Sequence, residues 1–487
     1  MEHVNEYLEG TKAAPVDLGD VLVLGLGKSG RAVSSYCADL LGGRVRSLTI
    51  AAGERTEEAV AFAETLPHGV RVLFDLYTLE GSFDLCIASP GISQFSRFYE
   101  NAQAVSREVV SEVEFAWRES DADSCWIAIT GTNGKTTTTM LCTHLLSRAG
   151  LDVAAVGNIG NTCIEAVSEG RARYYVAEVS SFQLASMDKF APQVAVLLNI
   201  TPDHLYWHMT LDAYIQAKKN VYANLNESGV LVIDAVNDVS RSCIKEFKDD
   251  PERTFSYIPL GCADGLGRSM ADACGSSSAA WVDGGMLRVL VDGSLTDLVD
   301  VSELLIKGEH NASNALAAAC AALSVGVDPE CVREGLRDFA PLEHRLEPCG
   351  SIDGVSCFND SKATNVDATL KALESFPAAK PIFLLGGHDK GTDLAPLVES
   401  AVARCSAVVC FGAAADRFMT AFDGASLKHV AAAHMEDALD EALAMAEPGD
   451  IVVLSPACAS FDEFDSFEHR GRVFKHLVEF RAMGANA

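Results

Sequence analysis

From Val21 onward, short apolar runs alternate with longer stretches of mixed polarity. Val21–Gly25, Val45–Ile50 and Leu85–Ala88 read as strands. They predict a small sheet sandwiched between helices. A polar break at Glu119–Ser124 precedes a stronger run at Trp126–Thr130, and further strands are expected at Tyr174–Val179, Val194–Ile200 and Val230–Asp234. Residues 262–280 are rich in Gly, Ala and Ser and predict a surface loop, and the alanine-rich stretch near 310–325 predicts a core helix. After a second break at Pro341, Ile382–Gly386, Ala407–Phe411 and Ile451–Ser455 read as parallel-type strands that each end in a loop. The expectation is an α/β chain of three domains near residues 17–120, 121–340 and 341–487, with residues 1–16 as a tail.

Composition narrows the function classes. With 48% hydrophobic and 22% charged residues over 487 positions, the chain can bury several cores. A formal net charge of -30 argues against a general nucleic-acid binder, which needs basic surface. The 15 cysteines show no CxxC spacing and read as reduced thiols of a cytoplasmic protein. No basic segment followed by an apolar stretch opens the chain, and no apolar run is long enough to span a bilayer, so neither export nor membrane attachment is expected.

The strongest local signal is Gly131-Thr132-Asn133-Gly134-Lys135-Thr136, placed after a predicted strand and before a predicted helix. In such a loop the backbone N–H groups and the helix N-terminus face a phosphate. Lys135 can reach the β- and γ-phosphates, and the Thr136 hydroxyl can ligate Mg2+. Ile129 stands where the longer phosphate-loop pattern has glycine, so this is a shorter G-x-x-G-K-T form. Glu178 and His204 each follow a predicted strand, and parallel strands gather their carboxyl ends at one edge. A carboxylate and an imidazole converging there can hold a second metal ion. Gly25-Leu26-Gly27-Lys28-Ser29-Gly30 also follows a strand and matches the dinucleotide fingerprint. The next strand, Ser47–Ala52, offers no acid for a ribose, which weakens a nicotinamide reading.

Taken together, these segments resemble the Mur ligase family. The resemblance runs from about residue 20 to the C-terminus and rests on Gly131–Thr136, Gly157-Asn158-Ile159-Gly160, Glu178–Ser181, Asp203-His204, Gly308–Asn311 with Asn314, and His344-Arg345. It implies a Rossmann-like N-terminal domain, a P-loop ATPase-like central domain and a Rossmann-like C-terminal domain. In the last third, Asn359–Asn365, Leu385–Lys390 and Leu454–Phe461 resemble the branch that adds D-glutamate. The implied activity is ATP-dependent addition of D-glutamate to UDP-N-acetylmuramoyl-L-alanine through an acyl phosphate, by a cytoplasmic monomer using ATP and Mg2+. Rival readings are another amide ligase of the same superfamily, such as a folylpolyglutamate-synthase-like enzyme, or a catalytically silent nucleotide-binding regulator.

The same resemblance assigns residues. ATP is expected on Gly131, Thr132, Asn133, Gly134, Lys135, Thr136 and Thr137, with Asn311, Asn314, Arg345 and Asp360 toward the adenosine end. The UDP-linked substrate is expected at Gly25, Gly27, Ser89, Pro90 and Gly91, with Asn158 and Ser180 further along it. D-Glutamate is expected at Lys362, Thr364, Lys390, Ser460, Phe461 and Phe467, since a dicarboxylate wants cationic and hydroxyl partners. Lys135, Glu178, His204 and Lys218 are the expected catalytic set, with Thr136, Glu178, His204 and Lys218 on metal. Lys218, in Tyr214-Ile-Gln-Ala-Lys218, is implied to be carboxylated on its side-chain nitrogen. The segment Leu205-Tyr206-Trp207 departs from the Asp-Arg that the family often carries after this histidine.

Overall fold

The computed structural model describes residues 7–76, 78–261, 267–291, 293–376, 379–389 and 391–485. The chain divides into two compact units, one built from the residues up to Glu303 with Ala312–Asp338, the other from Leu304–Asn311 with Phe339 onward.

The first unit holds two sheets. Five parallel strands form the first, in the order Arg71–Phe74, Val45–Gly53, Gly19–Leu24, Leu85–Ala88, Val109–Ser111. Val21, Val23, Leu48 and Ile50 face one core, and Leu22, Leu24 and Cys86 face another, so both faces are covered. The second sheet has nine strands. Its centre runs Val230–Asp234, Val194–Leu197, Cys125–Thr130, Tyr174–Glu178, Val153–Gly157, all parallel. Its far side ends in an antiparallel meander, Ala279–Asp283, Met286–Val291 and Ser294–Asp300.

Register sets up the site. Ile129 pairs with Glu178, Thr130 with Leu197, and Gly157 with Glu178. The carboxyl ends of these strands therefore lie side by side, each releasing its loop at the same edge.

Residues 7–15 are not a loose tail. Lys12 N donates to Ser120 O, Ala13 N to Arg118 O, and Ala122 N to Gly10 O, so this segment is laced to the end of the helix Glu112–Glu119. The stretch 262–280 is also not one loop. Gly267–Cys274 is a helix and Ala279–Asp283 a strand; Ala271 is buried, and Tyr257 Oη donates to Gly275 O at 3.0 Å. Alanine-rich composition permits this, because alanine is the best helix former.

The second unit has a six-stranded sheet in the order Glu347–Ile352, Val355–Asn359, Ile451–Ala457, Ile382–Gly386, Ala407–Phe411, Lys428–Ala431. Only the first pair is antiparallel. Helices cover both faces, around Phe383, Leu385 and Phe418 on one side and Leu384, Phe411 and Phe474 on the other.

Candidate active site

The phosphate loop links the strand Cys125–Thr130 to the helix Lys135–Arg148. Gly134 caps that helix in the left-handed region, φ +84°, where a Cβ would also lie 2.4 Å from Asn314 Oδ1. Glycine thus permits both the turn and the approach of Asn314, whose Oδ1 also accepts from Thr138 Oγ1. A second strand end braces the loop: Asn133 N donates to Asn199 Oδ1 at 2.9 Å, and Asn199 Nδ2 to Asn133 O at 3.1 Å. Thr132 Oγ1 is shared with Tyr214 Oη at 2.8 Å and accepts from Thr201 N at 2.9 Å. Lys135 folds back on its own loop, donating to Gly131 O and Thr132 O at 2.9 Å each. Thr136 is half-buried on the first turn and Thr137 is buried.

Glu178 ends the adjacent strand and is 2% exposed. Its Oε1 accepts from Asn158 Nδ2 at 2.9 Å, whereas its Oε2 is buried with no hydrogen-bond partner. A buried carboxylate oxygen left unpaired is costly and suits a hard cation. His204 sits in the left-handed region, φ +54°, packs edge-on against Phe182 at 4.8 Å, and has Nε2 3.5 Å from Asp203 Oδ2.

Lys218 lies on the helix Leu211–Lys219 and is 2% exposed. Its Nζ donates to Gly131 O at 2.8 Å, reaches Thr130 Oγ1 at 3.4 Å, and stands 4.9 Å over the Tyr214 ring. Burial, then the nearby Lys135 charge, pushes its ammonium well below the ordinary lysine range, against the pull of Asp203 and Glu178. Lys219, one residue on, points outward to an ion pair with Glu246. Lys135 follows one strand and Glu178 ends its neighbour, and Lys218 senses both of their charges together with that of Asp203, the residue before His204. A buried carboxylate oxygen without a partner at these strand ends fits a divalent cation.

The first sheet carries a cleft of about 490 Å³ at the carboxyl ends of its strands, lined by Gly25, Gly27, Lys28, Ser29, Glu54, Ser89, Pro90, Gly91 and Phe98. It brings the five predicted substrate residues of this sheet together. Lys28 Nζ donates to Gly160 O at 2.5 Å, in the loop that carries Asn158. Ser180 is engaged locally: its Oγ accepts from Gln183 N, capping the short helix Ser181–Leu184.

In the second unit, Asp360 is buried. Ser455 Oγ donates to its Oδ2 at 2.7 Å, and Leu346 N to its Oδ1 at 3.3 Å. Burial raises its carboxyl to about 7, although the Ser455 hydrogen bond and the Arg345 charge pull it down. Asn311, whose Nδ2 donates to Lys307 O, and Arg345 belong to this unit too. Lys362 Nζ stands 3.7 Å over the Phe467 ring, Thr364 N donates to Lys362 O, Ser460 is buried, and Phe461 is exposed. Lys390 lies outside the described residues. One carboxylate–imidazole cluster occurs among the described residues, Glu343, His344 and Glu347. Lys475 bridges both of its acids, and Asn359 Nδ2 lies 2.8 Å from His344 Nδ1, so its ligand atoms are already engaged.

Residues 129–322 match the Mur ligase middle domain, and residues 344–458 match the Mur ligase glutamate ligase domain. The chain is 38% identical to the UDP-N-acetylmuramoylalanine--D-glutamate ligase of Acidobacterium capsulatum, covering 94% of this chain and 95% of that one. To the protein of the same name from Salinibacter ruber it is 39% identical, over 94% and 97% of the two chains. The chain belongs to the Mur ligase family. Among solved structures it is similar to a pseudomurein peptide ligase type C from Methanothermus fervidus, with a TM-score of 0.56 and 17% identity over 95% of this chain and 99% of that one. A MurF from Acinetobacter baumannii has the same TM-score at 18% identity, over 82% and 91%. These two likenesses speak to the fold.

Packing holds the Leu205-Tyr206-Trp207 segment in place. Trp207 is buried and stacks on Phe182 at 4.8 Å, its carbonyl accepts from Ser93 Oγ at 2.7 Å, and Tyr206 stays exposed. His208, next in line, is buried with Nε2 2.9 Å from Ser181 Oγ, and burial lowers its imidazole to about 4. Sequence reasoning passed over Lys28, His208, Asn199 and Ser93. Lys28 was legible as the one cation inside the glycine fingerprint; the others act through tertiary contacts that no spacing announces.

Proposed function

We propose that this Mur ligase joins D-glutamate to UDP-N-acetylmuramoyl-L-alanine, consuming ATP and releasing ADP and phosphate, in peptidoglycan precursor synthesis. The observation that carries the reading is the buried Lys218, bonded to the phosphate loop at Gly131 O and sensing the charges of Lys135, Asp203 and Glu178. The likeness over nearly the whole chain to D-glutamate ligases supports the choice of amino acid.

A carboxylate is a poor acyl donor because its leaving group would be oxide. The alanyl carboxylate oxygen attacks the γ-phosphorus of ATP, and ADP departs. The D-glutamate amine then attacks the acyl carbon and loses a proton, and the tetrahedral intermediate expels phosphate as the amide forms. Lys135, once drawn off Gly131 O and Thr132 O by a phosphate, offsets the repulsion between two anions that must meet. The loop N–H groups at the helix N-terminus hold the phosphate chain. Thr136, Glu178, His204 and a carboxylated Lys218 would hold Mg2+, which when bound supplies charge neutralisation at the transferring phosphoryl group. Asn158 orients Glu178. The cleft at Gly25, Gly27, Ser89, Pro90 and Gly91 takes the UDP moiety. Asn314 with Asn311, Arg345 and Asp360 is assigned to ATP, and Lys362, Thr364, Lys390, Ser460, Phe461 and Phe467 to D-glutamate. No helix among the described residues is long and apolar enough to cross a membrane. Both phosphate-bearing substrates are soluble, and the reading places a monomer in the cytoplasm.

The test is phosphate release from ATP with UDP-N-acetylmuramoyl-L-alanine and one amino acid at a time. D-Glutamate should give turnover. Better turnover with L-glutamate, L-lysine or D-alanyl-D-alanine would overturn the assignment.

A further inference from the structure

Ser93 directly follows residues 89–92, which line the cleft of the first sheet. Its Oγ donates to Trp207 O at 2.7 Å and accepts from Phe95 N at 3.3 Å. Trp207 belongs to the one-turn helix Leu205–His208, which His204 caps. Carbonyls in the last turn of a helix lack partners within it, and Ser93 supplies the donor for this one. A single side chain thus ties the cleft assigned to the nucleotide end of the substrate to the turn that follows His204.

The turn moves as one piece. Trp207 N and His208 N both donate to His204 O, at 2.9 and 3.1 Å, so a shift of Trp207 carries His204 with it. The buried Trp207 ring stacks on Phe182 at 4.8 Å, and Phe182 packs edge-on against the His204 ring at 4.8 Å. Trp207 Nε1 is buried without a hydrogen-bond partner, so this indole serves by where it sits and not by a bond its ring makes. His204 and Met209 bracket the turn in the left-handed region, at φ +54° and +65°. A methionine rarely adopts that conformation, and it persists only where the surroundings over-determine it. A second hydrogen bond crosses between the elements of the same two sheets, shared by Tyr99 Oη and Ser186 Oγ at 2.9 Å.

We propose that Ser93 is a positioning residue: its bond to Trp207 fixes the spacing between the nucleotide cleft and the turn that carries His204, so that the UDP-linked substrate, seated at its nucleotide end, brings its alanyl carboxylate to the reacting position. This rests on the function proposed above. The substrate has to span from cleft to turn, and a fixed gap spares it ordering that binding and reaction would otherwise demand. UDP alone touches only the cleft and gains nothing from the bond. ATP and D-glutamate, assigned to other residues, gain no affinity from it either.

The experiment uses the full-length protein as wild type, Ser93→Ala, Ser93→Thr and Tyr99→Phe. Calorimetric titrations with UDP and with UDP-N-acetylmuramoyl-L-alanine, free of ATP and metal, are followed by steady-state kinetics. Wild type that does not bind the UDP-linked substrate sinks the function proposed above, and the role of Ser93 with it. With binding by wild type established, Ser93→Ala should weaken the full substrate about fivefold, the scale of one hydrogen bond, and UDP by less than about twofold. Its kcat should fall about tenfold as the carboxylate is misplaced, with KM for ATP and D-glutamate within about twofold of wild type. Ser93→Thr keeps the hydroxyl and should restore both. Tyr99→Phe removes the other bond between the two sheets' elements and should lower Tm without separating UDP from the full substrate. Equal effects of Ser93→Ala on UDP and on the full substrate, or none on either, overturn the proposal while leaving the function standing. So does the same separation in Tyr99→Phe, a threonine variant no better than alanine, or a Ser93→Ala protein that does not fold, since each marks Ser93 as ordinary packing between the two sheets.

Discussion

Asn158 Nδ2 donates to Glu178 Oε1 at 2.9 Å, and Glu178 Oε2 remains buried without a partner. The amide thereby engages one carboxylate oxygen and leaves the other available. Such outer partners typically tune metal affinity by 10–100-fold or so. Asn158→Ala should raise the Mg2+ concentration for half-maximal activity by about that factor, with little change in Tm. Asn158→Asp should be worse, because a second anion would face the first. A Mg2+ titration of each variant checks this; curves that superimpose on wild type would remove Asn158 from the site.

Lys135→Ala should lower kcat by roughly two to three orders of magnitude or more, the scale of losing one charge that follows the developing transition state. Folding should change little. The variant gives up two hydrogen bonds to loop carbonyls, but Gly131 O keeps its bond from Lys218. Single-turnover phosphate transfer with a melting curve on the same sample separates the two effects. Near-normal transfer in a folded variant would exclude this loop as the phosphate site.

Glu112 offers a pH test of stability. It is 2% exposed, its Oε1 accepts from Ile164 N at 2.7 Å, and burial raises its carboxyl to about 7. Its folded value thus lies above the ordinary 4.5, so between these values the folded chain binds the proton more tightly than the unfolded chain does. Its contribution is present in full below about 4.5 and is lost as pH rises through about 7, by at most about 3 kcal/mol. Glu112→Gln keeps the acceptor and removes the charge. Its Tm at pH 8 should equal or exceed that of wild type, and the fall in stability between pH 5 and 7 should shrink. A lower Tm at pH 8 would mean that the ionised carboxylate is what the site requires.

The legible parts of the fold were those where burial on both faces writes a continuous apolar run. Leu85–Ala88, Val230–Asp234, Ile382–Gly386 and Ala407–Phe411 are such strands, and their observed limits agree with the pattern. The helix Glu112–Glu119 is the opposite case. Its sequence, EVEFAWRE, reads as half polar, yet all eight residues are buried. Arg118 pairs with Glu108 and Glu114, and Arg44 and Tyr36 both bond Glu119, so charge is buried in compensated groups that no local period reveals. The helix Gly267–Cys274 and the start of the strand Ala279–Asp283 were hidden in residues 262–280, whose composition suggested a loop. At the site, Lys135 and Glu178 could be read because a strand end and its following loop are local features. Ser93 could not, because its partner Trp207 lies 114 residues away.

Lys218 is the sharpest case for chemistry beyond the twenty side chains. Its ammonium is buried, bonded to Gly131 O, and pushed well below the ordinary lysine range by burial and by Lys135. A neutral amine there can attack the carbon of CO2 and lose a proton, giving an anionic carbamate whose two oxygens suit Mg2+ better than an ammonium does. Lys219 is the internal control, since it shares the helix but faces an ion pair with Glu246. Wild type incubated with 13C-bicarbonate should show a carbamate carbon resonance that Lys218→Ala lacks and Lys219→Ala keeps. Lys218→Ala should lose about two orders of magnitude or more in kcat, as removal of a charged transition-state group does, and acetate should restore part of it. Lys219→Ala should stay within about twofold of wild type, as expected for an exposed ion pair. A fully active Lys218→Ala, or a carbamate signal that survives in it, would show that the buried lysine serves the phosphate loop as a plain amine.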